Sequence, residues 1–115
     1  MVKFLIETKD DKVLIEAKNK DHAFAKYFKD IIEQKVSLEK IGNIIMLSDG
    51  EDEYPMRTVP LLWKMGVIGT RVAVDNLVEV LGVSRFKAKK LLKQSADADA
   101  RLVPLIDELK LREEG

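Results

Sequence analysis

Between Ser84 and Gln94 the chain carries Arg85, Lys87, Lys89, Lys90 and Lys93 and no carboxylate. Cations concentrated in this way attract a polyanion; they do not by themselves make or break bonds. Phe86 stands among them, with Lys89, Lys90 and Lys93 following by three, four and seven residues, the spacing of one helical face, while Ala88, Leu91 and Leu92 share the other face. A helix that merely solvates its surface mixes both signs to gain i,i+4 pairs. An acid-free face in a chain of zero net charge is instead what a nucleic-acid binder presents. Ser84, Arg85, Phe86, Lys87, Lys89, Lys90 and Lys93 are therefore the candidate nucleic-acid-binding residues.

Other chemistries are poorly supplied. There is no cysteine and only one histidine, His22, which removes disulfides, thiolate metal sites, thiol nucleophiles and paired-imidazole centres. Asp49, Glu51, Asp52 and Glu53 lack the spacing of a calcium loop and read as a solvated turn. Gly66 and Gly69 are too few for a phosphate cradle, and Trp63, among Leu61, Leu62 and Met65, reads as a core anchor. No catalytic residue, cofactor or metal is expected, and the protein is not read as an enzyme.

The elements that must position the basic face follow from periodicity. Val2 to Thr8 and Lys12 to Ala17 are β-prone runs around a polar connection, an opening hairpin. Asp21 is placed to cap a helix from His22 to about Lys35, whose Phe24, Phe28, Ile31 and Ile32 form a stripe to cover that hairpin. Val36 to Ile41 alternates, Gly42-Asn43 offers a turn, Ile44 to Leu47 suits a buried strand, and Tyr54 to Thr58 returns with Pro55 favouring an edge. Thr58 is expected to cap a short helix ending at Gly66. Val67 to Val74 reads as a connection with a short strand, and Asp75 as the cap of the next helix. Ser95 to Asp99 reads as a break, followed by a last helix through Leu102, Leu105, Ile106 and Leu109 that starts or bends at Pro104. The fold class is thus α+β. Residues 1–57 make a small ββαβ(β) unit, and residues 58–115 a helical unit of three or four helices, with one shared core as the other option.

Within the second unit, Gly82 tolerates the left-handed conformation that ends a helix, Val83 plugs the space between two helices, and Ser84 caps the next. Leu81, Val83, Ala88 and Leu91 are expected beneath the basic face. This arrangement over residues 74–94 resembles the helix-turn-helix of transcription regulators, particularly winged-helix types in which a short strand such as Arg71–Val74 precedes the pair. It departs from that pattern at Val78 and Ala88. The resemblance implies a DNA-binding protein of the transcription-regulator kind, whose second helix lies in the major groove of double-stranded DNA. Arg85 and Phe86 would then read base edges with Ser84 and Lys89, while Lys87, Lys90 and Lys93 hold phosphates. Gly82, Val83 and Ala88 also resemble the helix-hairpin-helix, a backbone binder, except that Ser84 stands where that motif has a second glycine. The non-nucleic-acid alternative is a protein-interaction or scaffold module that offers its basic helix to an acidic partner.

Charge is divided along the chain. Residues 1–55 hold nine lysines against twelve acids, and residues 56–115 hold eleven Lys or Arg against eight acids, so the basic excess accompanies the candidate site. The abundance of Lys and Glu resembles thermophile composition. No apolar run reaches the roughly 20 residues of a membrane span, and the expected setting is cytoplasmic. A homodimer is expected, since single modules bind weakly and operators are commonly two-fold.

Overall fold

The computed structural model describes residues 1–34 and 44–114. Strands β1 (Val2–Glu7) and β2 (Lys12–Ala17) are followed by helix α1 (Lys20–Gln34) and strands β3 (Ile44–Ser48) and β4 (Glu53–Arg57). Four helices complete the chain: α2 (Thr58–Lys64), α3 (Thr70–Leu81), α4 (Arg85–Ala98) and α5 (Leu102–Glu114). The molecule is α+β, a strand-rich first half followed by helices. The alternating run Val36–Ile41 and the Gly42-Asn43 turn lie outside the described residues.

The four strands form one antiparallel sheet in the order β2-β1-β3-β4. Phe4, Ile6, Ile45, Leu47 and Met56 alternate onto one face, where they are buried with Phe24, Phe28 and Ile31 of α1. A strand presents every second side chain to each face, so this alternation is what fixes the register. Pro55 lies in the edge strand β4, opposite Met46; an edge tolerates the missing amide because one side of the strand pairs with nothing. The β1–β2 connection is closed by Thr8, whose N–H donates to the Asp11 carbonyl at 2.8 Å and whose hydroxyl oxygen accepts from Asp11 N–H at 3.0 Å.

Helix α1 is capped by Asn19, whose Oδ1 accepts from His22 N–H at 3.0 Å, and not by Asp21. Asn19 sits just outside the helix, where a short side chain can reach back to a free amide. Asp21 instead pairs at 3.3 Å with Arg101, which lies between α4 and α5. Thr58 likewise caps nothing. It is the first residue of α2, preceded by an extended Arg57 that makes no side-chain cap. Gly66, at φ 78°, ends α2 as expected.

The largest correction concerns residues 67–75. Where a connection and a short strand were expected, α3 begins at Thr70 with Gly69 as its extended cap, and Asp75 lies in its interior. Ala73, Val74 and Leu77 are buried against Val59, Ala88 and Leu92, and this packing outweighs the weak helix propensity of Thr and Val. The Ser95–Asp99 break is also narrower than expected, since α4 runs to Ala98. Ala96 extends the buried seam of Ala88 and Leu92 by one more turn. In α5, Pro104 is the third residue, a position whose amide has no intrahelical partner to lose.

Two apolar clusters result. One joins the sheet, α1 and Leu61 and Leu62 of α2 with Leu102 and Ile106 of α5; the other joins α2, α3 and α4. Ile68 packs against both. Helix α5 therefore returns to pack along α1, and the two halves of the chain share its apolar face.

Candidate nucleic-acid interface

The turn between α3 and α4 is built by Gly82 and Ser84. Gly82 adopts φ 65°, ψ 29°, and its N–H donates to the Val78 carbonyl at 3.0 Å. A Cβ added there would meet nothing within 4 Å, so the demand for glycine is conformational and not steric. Ser84 is extended, and its Oγ accepts from Lys87 N–H at 3.2 Å. The cap orients the first turn of α4, where Arg85, Phe86 and Lys87 stand. Helices α2, α3 and α4 each contact the other two, so the turn is held in a three-helix packing.

The inner side of α4 is lined by Ala88, Leu92 and Ala96, all fully buried. Leu81, Val83 and Leu91, expected beneath the basic face, are half-buried. Small residues at 88 and 96 let α4 approach its neighbours closely, which leaves those larger side chains at the margin. Leu77 and Leu92 are the large side chains that fill the seam.

The outer side carries the candidate residues together. Ser84, Arg85, Phe86, Lys87, Lys89, Lys90 and Lys93 are all exposed, and Phe86, 71% exposed, is among the most open large apolar side chains. Lys90 Nζ lies 4.6 Å from its ring centroid, a distance at which the ammonium is attracted to the ring face. Among the described residues Lys87, Lys89, Lys90 and Lys93 form no salt bridge. Their charges project into solvent uncompensated.

Arg85 differs from these lysines. Its guanidinium is hydrogen-bonded to Asp75 of α3, a partner ten residues back that a reading of Asp75 as a helix cap concealed. Both side chains are more than half exposed, so the pair contributes at most about 1 kcal/mol and exchanges readily for another anion. At the far end of α4, Asp97 pairs with Lys64 of α2 at 3.5 Å. The single acid of this helix thus lies beyond the basic stretch and is turned to a neighbour.

The remaining candidates have structural surroundings. Asp49 Oδ1 accepts from the N–H groups of Asp52 and Glu51 at 2.8 and 3.0 Å, which hold its carboxyl below the ordinary value. Its carboxylate is thus committed to the turn. Trp63 is half-buried, and its Nε1 donates to Thr70 Oγ1 at 3.0 Å, joining α2 to the start of α3. Among the described residues no three His, Cys, Asp or Glu side chains gather as a metal site, and no helix is long and apolar enough to cross a membrane. In comparison with known proteins, no family model matches the chain, and no curated protein or solved structure is significantly similar to it.

Proposed function

We propose that this protein binds double-stranded DNA through the outer face of α4, with a regulatory role as the reading that the helix-turn-helix resemblance favours. The observation that carries it is the common exposure of Phe86 and the unpaired Lys87, Lys89, Lys90 and Lys93 within residues 84–94, a stretch of α4 without carboxylates. Uncompensated cations at this density cost self-repulsion, which a polyanion relieves by releasing its counterions. In this reading Lys87, Lys90 and Lys93 contact phosphates, and Ser84, Arg85, Phe86 and Lys89, nearer the N-terminus of α4, reach base edges. Arg85 takes part by exchanging Asp75 for the nucleic acid. The protein acts in the cytoplasm as a homodimer, which doubles the contacts available to a single small module.

The test is titration of a random-sequence duplex at several salt concentrations. Three phosphate contacts give a slope of log affinity against log salt of roughly −2.7 per protomer. Changing Lys89, Lys90 and Lys93 together to glutamate abolishes binding while leaving the thermal melt nearly unchanged, since all are exposed. Undiminished duplex binding by that variant would remove α4 as the binding face.

A further inference from the structure

Strand β2 forms one edge of the sheet. It pairs with β1 on one side, and no described strand pairs with the other. Two hydrogen bonds identify the backbone groups on the open side: Lys12 N–H donates to Asp11 Oδ1 at 2.8 Å, and the Glu16 carbonyl accepts from Lys26 Nζ at 2.6 Å. In an antiparallel strand the N–H and C=O of one residue point the same way, and every second residue repeats that direction. Leu14, midway between Lys12 and Glu16, therefore also turns its amide groups outward. Its side chain is 72% exposed, the most open apolar side chain of the sheet.

The residues along this edge are complementary to themselves. Lys12-Val13-Leu14-Ile15-Glu16 runs from a cation through a β-branched residue, a leucine and a second β-branched residue to an anion. Set antiparallel against its own copy about a two-fold axis at Leu14, each strand faces Leu14 with Leu14, Val13 with Ile15 and Lys12 with Glu16. The outward-facing residues Lys12, Leu14 and Glu16 then become the hydrogen-bonded pairs of the new ladder, each exchanging both N–H···O bonds. Lys26 can remain on the second lone pair of the Glu16 carbonyl, whereas Lys12 N–H exchanges Asp11 Oδ1 for the Glu16 carbonyl of the second copy.

Charge selects this arrangement over its competitors. Parallel pairing in register sets lysine beside lysine and glutamate beside glutamate. Moving the axis by two residues, onto Lys12 or Glu16, sets like charges directly opposite, which is destabilising. Charged residues on an edge strand commonly prevent pairing; here the axis on Leu14 is the one that sets Lys12 and Glu16 opposite each other. Beside the edge, a groove of about 340 Å³ between β2, α1 and α5 is lined by Ile15 and Leu109 together with the charged Glu16, Lys26, Lys29 and Asp30. Val13 of the second copy, opposite Ile15, adds an apolar side chain at its mouth.

We propose that two copies of this chain associate by antiparallel pairing of β2 with β2 about Leu14, extending the sheet across the dimer. The interface is isologous, as two-fold symmetry requires, and uses no residue of α4.

Sedimentation equilibrium over a concentration series tests it. Wild type dimerises, whereas Lys12→Glu and Glu16→Lys each set two like-charge pairs across the axis and weaken association by roughly tenfold to a hundredfold. An equimolar mixture of these two variants dimerises as well as wild type, because every pair in the mixed dimer is again opposite in charge. The double variant K12E/E16K recovers dimerisation in the same way. Leu14→Asp, a change at an exposed position that sets two carboxylates on the axis, gives a monomer with an unaltered circular dichroism spectrum. A monomeric wild type at millimolar concentration overturns the proposal. So does dimerisation of the single variants at wild-type strength, or a mixture that associates no better than its components.

Discussion

Lys90 places its Nζ 4.6 Å from the Phe86 ring centroid, one helical turn along the exposed face of α4. The contact joins the most open aromatic ring of the basic helix to one of its unpaired cations, so that apolar surface and charge are presented together. An exposed cation–π pair contributes about 0.5–1 kcal/mol. Phe86→Ala therefore lowers the melting temperature by only a few degrees. For duplex binding the same change costs about 1–3 kcal/mol if the ring meets a base edge, with the salt slope unchanged because no charge is lost. Lys90→Ala behaves differently, reducing the slope by about one. Parallel salt titrations of the two variants separate these effects, and identical slopes for both would remove Lys90 from the phosphate contacts.

The acidic turn makes a prediction in pH. Asp49 has its carboxyl held below the ordinary value chiefly by the N–H groups of Asp52 and then Glu51. A depressed folded-state pKa means that the unfolded chain takes up its proton first as acid is added. The stabilisation is therefore complete above the ordinary carboxylate value of about 3.9 and is lost as pH falls through the lower folded value. Asp49→Asn keeps an acceptor oxygen but removes the charge. It melts below wild type at neutral pH, and the gap closes as the pH is brought under 4. Melting curves across this range check the sign; a gap that is constant with pH would mean that the charge contributes nothing.

The hairpins and α1 were legible because their signals are local. Short β-prone runs on either side of a polar connection mark the strands, and the Phe24, Phe28, Ile31 spacing marks the helix. The Gly82-Val83-Ser84 turn was legible for the same reason, since a left-handed glycine followed by a capping serine is a short-range device. What escaped depends on partners distant in sequence. Arg71 to Val74 looks like a strand until Val59, Ala88 and Leu92 are placed around it. Asp75 resembles a cap until Arg85 is seen to engage it. Asp21 and Arg101 are eighty residues apart, and no periodicity announces that they meet. The exposure of the basic face could be anticipated, but the loss of Arg85 to an ion pair could not.

The junction between sheet and helices offers a stability prediction. Thr58, first residue of α2, is fully buried, and its Oγ1 has no hydrogen-bond partner among the described residues. It follows β4 directly, so its position is fixed by the strand on one side and by the packing of Val59, Leu61 and Leu62 on the other. The hydroxyl cannot turn out to solvent without disturbing both. Leaving a buried donor unsatisfied costs about 1–3 kcal/mol, and valine fills nearly the same space without that group. Thr58→Val is therefore expected to stabilise the protein by about 1 kcal/mol, read as a rise of several degrees in melting temperature. Thr58→Ser keeps the hydroxyl and deletes the methyl, so it leaves a small void and destabilises by about 1 kcal/mol. The opposite order of melting temperatures would show that the hydroxyl has an energetically significant partner and that α2 is anchored by it.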